Sequence, residues 1–99
     1  MHVLMVRSQV KAENVADVEA AVEKVFTAIH EAQPAGVRYA TAKLSDGVTF
    51  VAMLELDDPK ANPLVDLPAF TEFQASLGQW MAGPPAAEPL TVVGSYRLF

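Results

Sequence analysis

Few side chains in this sequence can do chemistry, and they fall into small groups. Tyr39 and Tyr96 offer phenols on stretches that read as strands. A phenol in a pocket can orient a substrate hydroxyl or relay a proton; the alternative is a tyrosine with its tip at a sheet edge. Arg7, Arg38 and Arg97 also lie on strand-like stretches of an otherwise acidic chain. A guanidinium beside a pocket can stabilise an enolate or a peroxide; the alternative is an ion pair with Glu55, Asp57 or the acid of another subunit. Trp80, the single tryptophan, sits with Phe70, Phe73, Leu77 and Met81 at helical spacing. Trp80 and Phe73 are candidate walls for a flat ligand, and the indole N–H can reach a quinone oxygen. Their alternative is plain packing, which is what stripe aromatics usually do. Asn62 and Gln74 can donate a side-chain amide to a bound oxygen, although an asparagine between prolines more often makes a turn.

Other groups argue against whole classes of chemistry. His2 and His30 have no partners at ligand spacing, so no metal site is expected. Glu55, Asp57 and Asp58 cluster at a strand end, where like charges can raise one pKa; a solvated loop is the ordinary outcome. Cysteine is absent, which excludes disulfides and thiolate catalysis. Gly47 and Gly78 stand alone, so there is no phosphate-cradling loop. The net charge of −5 opposes nucleic-acid phosphates and anionic lipid.

The elements that must position these residues are organised around Val37 to Leu56. Ser45-Asp46-Gly47 separates two apolar alternating runs, a strong hairpin signal because glycine supplies positive φ without steric cost. Before the turn, Val37, Tyr39, Thr41 and Lys43 point one way and Arg38, Ala40, Ala42 and Leu44 the other; after it, Val48, Phe50, Ala52, Leu54 and Leu56 share a face. The opposite face of the second strand, with Thr49, Val51 and Met53 and then the acids Glu55 and Asp57, is apolar for half its length. A half-exposed antiparallel sheet normally alternates cleanly, so something must cover that second face.

In chain order, Val3 to Val10 is the first strand. The N-terminal stretch is too interrupted by charge for a signal peptide, and no run can span a bilayer, so a soluble cytoplasmic protein is expected. Asn14 caps a helix running to about Ala32, with Val15, Val18, Val22, Val25, Phe26 and Ile29 on one stripe. Pro34 and Gly36 end it. After the hairpin, residues 57–63 form a loop, a second helix starts near Asp66 to Pro68, and Gly83-Pro84-Pro85 stops it. Residues up to Pro89 read as linker. Leu90 to Phe99 reads as the last strand. The order β-α-β-β-α-β over residues 1–99 predicts a single α+β domain of ferredoxin-like form, with a four-stranded antiparallel sheet and both helices on one face.

This element order, the two-sided apolar strands, the helix start Leu67-Pro68-Ala69-Phe70-Thr71-Glu72-Phe73 and the ending Val92-Val93-Gly94-Ser95-Tyr96 resemble the dimeric α+β barrel superfamily. Within it the chain is most similar to small proteins of the antibiotic-biosynthesis-monooxygenase type. The resemblance implies a homodimer with sheets packed face to face. It also implies a pocket between helices and sheet for an apolar aromatic ligand, and oxidation by dioxygen without a cofactor. On that reading Tyr39 and Arg38 are the catalytic candidates, and Trp80, Asn62, Phe73 and Tyr96 the ligand-binding ones. Haem-degrading members rely on a histidine of the second helix, and FTEFQASLGQWM has none. The alternative is a non-catalytic dimer that binds a small molecule or a partner.

Overall fold

The computed structural model describes residues 2–98. The first strand, β1, is His2–Gln9, and a short 3-10 turn at Ala12–Asn14 leads into helix α1, Val15–Ala32. Asn14 sits at the helix start, but its side chain makes no capping bond; its amide donates to Asp17 Oδ2 at 2.9 Å instead. The left-handed residue that ends α1 is Gln33, at φ 47°, and its N–H donates to the Ile29 carbonyl. Pro34 follows at once and prevents continuation. The positive φ of Gly36 serves the turn into the next strand rather than the helix end.

The hairpin forms as expected, with β2 at Val37–Lys43 and β3 at Thr49–Leu56. Gly47 takes φ 79°. Asp46 Oδ1 accepts the Val48 and Thr49 N–H groups, and Oδ2 accepts the Thr49 hydroxyl. These bonds, the Thr49 hydroxyl first, hold the Asp46 carboxyl below the usual carboxylate range. A 3-10 turn at Pro63–Asp66 precedes helix α2, Pro68–Trp80, which starts with proline where a missing N–H costs nothing. Helix α2 ends at Trp80, before the Gly-Pro-Pro run, because Met81 is captured by an antiparallel bridge to Val10. The Trp80 carbonyl accepts the Lys11 N–H at 2.8 Å, so β1 and the end of α2 are tied together.

The last strand, β4, is Ala86–Leu90, not Leu90 to Phe99. It pairs antiparallel with β1, Ala86 opposite Arg7 and Leu90 opposite Val3. The residues read as linker thus form an edge strand. Pro89 is tolerated there because an edge strand needs hydrogen-bond donors on one side only. The ladder between β1 and β4 ends at the Val3–Leu90 pair. Residues 91–98 are irregular despite their β-branched content, and Phe99 lies outside the described residues.

The sheet order β2-β3-β1-β4, all pairs antiparallel, with two helices, is the ferredoxin-like arrangement. The helix-covered face carries two buried clusters. One joins Val10, Val18 and Phe50, with Trp80 and Leu77 against it. The other joins Val25, Leu64 and Phe70, with Tyr39, Leu54 and Phe73 against it. On the opposite face, strand register places Arg38, Glu55, Val3 and Leu90 in one row across the sheet. No helix among the described residues is long and apolar enough to cross a membrane.

Candidate functional site

Between the two core clusters lies a cavity of about 220 Å³. Its sheet side is made by alternate residues, because a strand sends every second side chain to one face: Leu4, Val6 and Ser8 from β1, Tyr39 and Thr41 from β2, Phe50, Ala52 and Leu54 from β3. Its helix side is Val18 and Val22 of α1 and Phe70, Phe73, Gln74 and Leu77 of α2. Asn62 closes one end. The volume falls below the roughly 300–1,000 Å³ typical of drug-sized ligands, which suits a compact molecule.

Tyr39 is held between two aromatic rings. Its ring stacks on Phe26 with centroids 5.3 Å apart and meets Phe70 edge-on at 5.9 Å. Burial pushes the phenol pKa up, and the neighbouring Thr41 hydroxyl offsets part of that. A phenol in that state keeps its proton near neutral pH and acts as a donor, not as a base. Asn62 has its Oδ1 engaged by the Leu64 N–H at 3.0 Å, which anchors the 3-10 turn ahead of α2. Anchoring the oxygen fixes the amide, so its remaining polar capacity toward the cavity is as donor. Ser8 is 5 % exposed on the cavity wall. The polar lining is therefore Ser8, Tyr39, Thr41, Asn62 and Gln74, all uncharged.

Of the residues singled out from sequence, Tyr39, Asn62, Phe73 and Gln74 meet at this cavity. Arg38, Trp80 and Tyr96 do not. Arg38 projects from the opposite face of the sheet, since it is offset by one residue from Tyr39, and it pairs there with Glu55. Trp80 packs on the Val10, Val18 and Phe50 cluster and lines a separate, shallower groove between the outer surfaces of α1 and α2, beside Lys24 and Glu72. Tyr96 lies outside the sheet, 80 % exposed, with the Arg97 guanidinium 5.1 Å from its ring centre. Arg97 is likewise not on a strand. Sequence reasoning passed over Ser8 and Thr41. Their signal was available: both are polar residues on the otherwise apolar, helix-facing register of their strands.

No family model matches the chain, and no curated protein matches it. Solved structures do. A protein from Nitrosomonas europaea, provisionally assigned as an antibiotic biosynthesis monooxygenase, superposes with a TM-score of 0.79 at 19% identity, covering 95% of this chain and 100% of its own. Rv0793 from Mycobacterium tuberculosis gives 0.78 at 17% identity, covering 95% and 96%. A variant of SnoaB, a cofactor-independent oxygenase from Streptomyces nogalater, gives 0.71 at 16% identity, covering 97% and 96%. Identity at this level speaks for backbone architecture and not for activity. The chain has the ferredoxin-like α+β fold of the antibiotic-biosynthesis-monooxygenase proteins.

Proposed function

We propose that the protein is a cytoplasmic, homodimeric, cofactor-independent monooxygenase-like protein that binds a flat aromatic phenol between its helices and sheet. The observation that carries this reading is the cavity itself, with aromatic walls from Tyr39, Phe50, Phe70 and Phe73 and only neutral polar groups. The fold shared with an oxygenase that needs no cofactor supports it.

An electron-rich phenolate can pass an electron to dioxygen directly. Recombination of the two radicals gives a hydroperoxide, and loss of water from it leaves a quinone. One dioxygen atom ends in the quinone and the other in water, so no external reductant is consumed. The protein contributes a dry site, orientation and hydrogen-bond donors. Tyr39 and the Asn62 amide supply donors to the developing oxyanion. No charged base lines the cavity among the described residues, so the substrate must itself be acidic enough to enter as its anion.

That same absence of a charged side chain favours a second reading, a binder of neutral aromatic molecules without turnover. Dioxygen uptake separates the two. Purified protein is mixed with a series of hydroxylated polycyclic phenols, with binding followed by Trp80 fluorescence and turnover by an oxygen electrode. Uptake that disappears in Ala52→Phe, which fills the cavity, supports the oxygenase. Saturable binding without uptake, also lost in Ala52→Phe, leaves the binder. Uptake that survives in Ala52→Phe sinks the cavity as the site.

A further inference from the structure

Several surface grooves border the cavity, and they join it to different extents. The groove between α1 and α2 shares Phe73 with it, the groove beside His30 shares Tyr39, and the groove around the loop after β3 shares Asn62. Another groove, of about 200 Å³, lies between α1 and β2. It shares Val22, Thr41 and Phe50 with the cavity, so the two meet along a wall and not at a single side chain. Because β2 is an edge strand, this side of the cavity faces outward. An ion pair from Lys43 Nζ on the strand to Glu19 Oε1 on the helix forms the rim, with the two side chains 41 % and 49 % exposed.

We propose that this groove is the mouth of the cavity and that the ligand is an aromatic acid: its rings lie in the cavity, and its carboxylate takes the place of Glu19 on Lys43. The inference rests on the cavity reading above and adds the ligand's charged group and the direction in which it points. Three observations carry it. The first is register. One face of β2 presents Tyr39, Thr41 and Lys43 in turn. A phenol, a hydroxyl and an ammonium thus stand in line from the cavity to its rim, over roughly 13 Å of strand. The second is charge. The cavity lining is uncharged, so an acid group finds no counter-ion inside it. In the neighbouring grooves Lys24 is outnumbered by Asp17 and Glu72, and Lys60 by Asp57, Asp58 and Asp66. At the β2 edge one cation meets one anion, so moving Glu19 aside presents a free ammonium on a chain of net charge −5. The third is the ease of exchange. Both partners are close to half in water, where an ion pair contributes little. A ligand carboxylate can therefore replace that of Glu19, which turns into solvent, and no charge is left buried without a partner.

The test is titration calorimetry at low salt with two probes, α-naphthol and the same molecule carrying a carboxylate ortho to its hydroxyl. The proteins are the wild type, Lys43→Met, Glu19→Gln, the double variant, and Lys24→Met as a cation of the neighbouring groove. Circular dichroism confirms that each is folded. Lys43→Met should weaken binding of the naphthoate by about threefold to fivefold, the scale of an ion pair half in water. Glu19→Gln should strengthen it, and that gain should vanish when Lys43 is also replaced, because the two act through one contact. Naphthol affinity should stay the same throughout, and Lys24→Met should change neither. Naphthol binding without naphthoate binding overturns the mouth and leaves the cavity standing. So does naphthoate binding that Lys43→Met leaves unchanged, or that Lys24→Met weakens equally. If neither probe binds the wild type, or Ala52→Phe disturbs neither, the cavity reading fails and this inference fails with it.

Discussion

The two faces of one sheet solve the same problem differently. Both are apolar over much of their area. The face under the helices is closed by α1 and α2 around two separate clusters, and between them a cavity persists, lined by aromatic rings and neutral polar groups. The face away from the helices carries no helix among the described residues, although Val3 there is only 4 % exposed. It carries the Arg38–Glu55 ion pair, with Glu55 only 5 % exposed and Arg38 largely in solvent. A packed layer that leaves a cavity is suited to a small molecule, and an uncovered layer is suited to another protein surface. One strand can serve both because successive residues point to opposite sides: Tyr39 faces the cavity and its neighbour Arg38 the open side.

The largest blow to this contrast is struck from the helix side. Leu64 is fully buried in the cluster that shapes one end of the cavity. Leu64→Ala should cost about 3 kcal/mol, read by urea unfolding. A change below about 1 kcal/mol would mean that the helix layer is loosely packed and does not define the cavity. On the open side, Arg38→Ala leaves a buried carboxylate without its cation and should cost about 1–2 kcal/mol. Replacing both partners, Arg38→Ala with Glu55→Leu, should recover most of that loss, since an apolar residue suits a row that contains Val3. If the double variant is no more stable than the single one, the pair is not what stabilises that row.

Filling the cavity sharpens the contrast from the other direction. Ala52→Leu adds volume where space exists, so stability should change by less than about 1 kcal/mol while binding of an aromatic ligand is lost. A large loss of stability would show that the cavity collapses in solution.

Tyr39 and Asp46 give smaller effects, of opposite sign in pH. Burial raises the Tyr39 pKa above its unfolded value. Its contribution is therefore complete below the unfolded phenol pKa and declines as pH rises through the folded one. Wild-type stability should fall more steeply than that of Tyr39→Phe above about pH 10. Parallel curves would place the phenol in water. Asp46 is shifted the other way by the Thr49 hydroxyl and two backbone N–H groups. Its contribution is present above the unfolded carboxyl pKa and lost as pH falls through the folded value. Comparison of wild type with Asp46→Ala below about pH 4 should show the two stabilities converging.

How much of this was legible beforehand differs by feature. The hairpin was, because Asp46-Gly47 between alternating runs encodes turn and register locally. The first helix was, because its stripe repeats over many turns. Proline at the start of α2 was equally informative. The last strand was not. Propensity favours Val92 and Val93 over Ala86–Leu90, but a strand forms only where a partner offers unpaired groups, and β1 offers them opposite Ala86–Leu90. The candidate site divides in the same way. Tyr39, Phe73 and Asn62 were recognisable by type, yet Arg38 and Trp80 carry equally suggestive side chains and point elsewhere.

By itself, then, the sequence determined the order of elements, the apolar character of both sheet faces, and the lack of groups for thiolate or phosphate-loop chemistry. Those properties follow from local periodicity and composition, which need no knowledge of neighbours. Only the tertiary structure decided which phenol reaches the cavity, that the cavity lining is uncharged, and that segment 91–98 lies outside the sheet. Those depend on strand register, which is fixed by which face of each strand is buried.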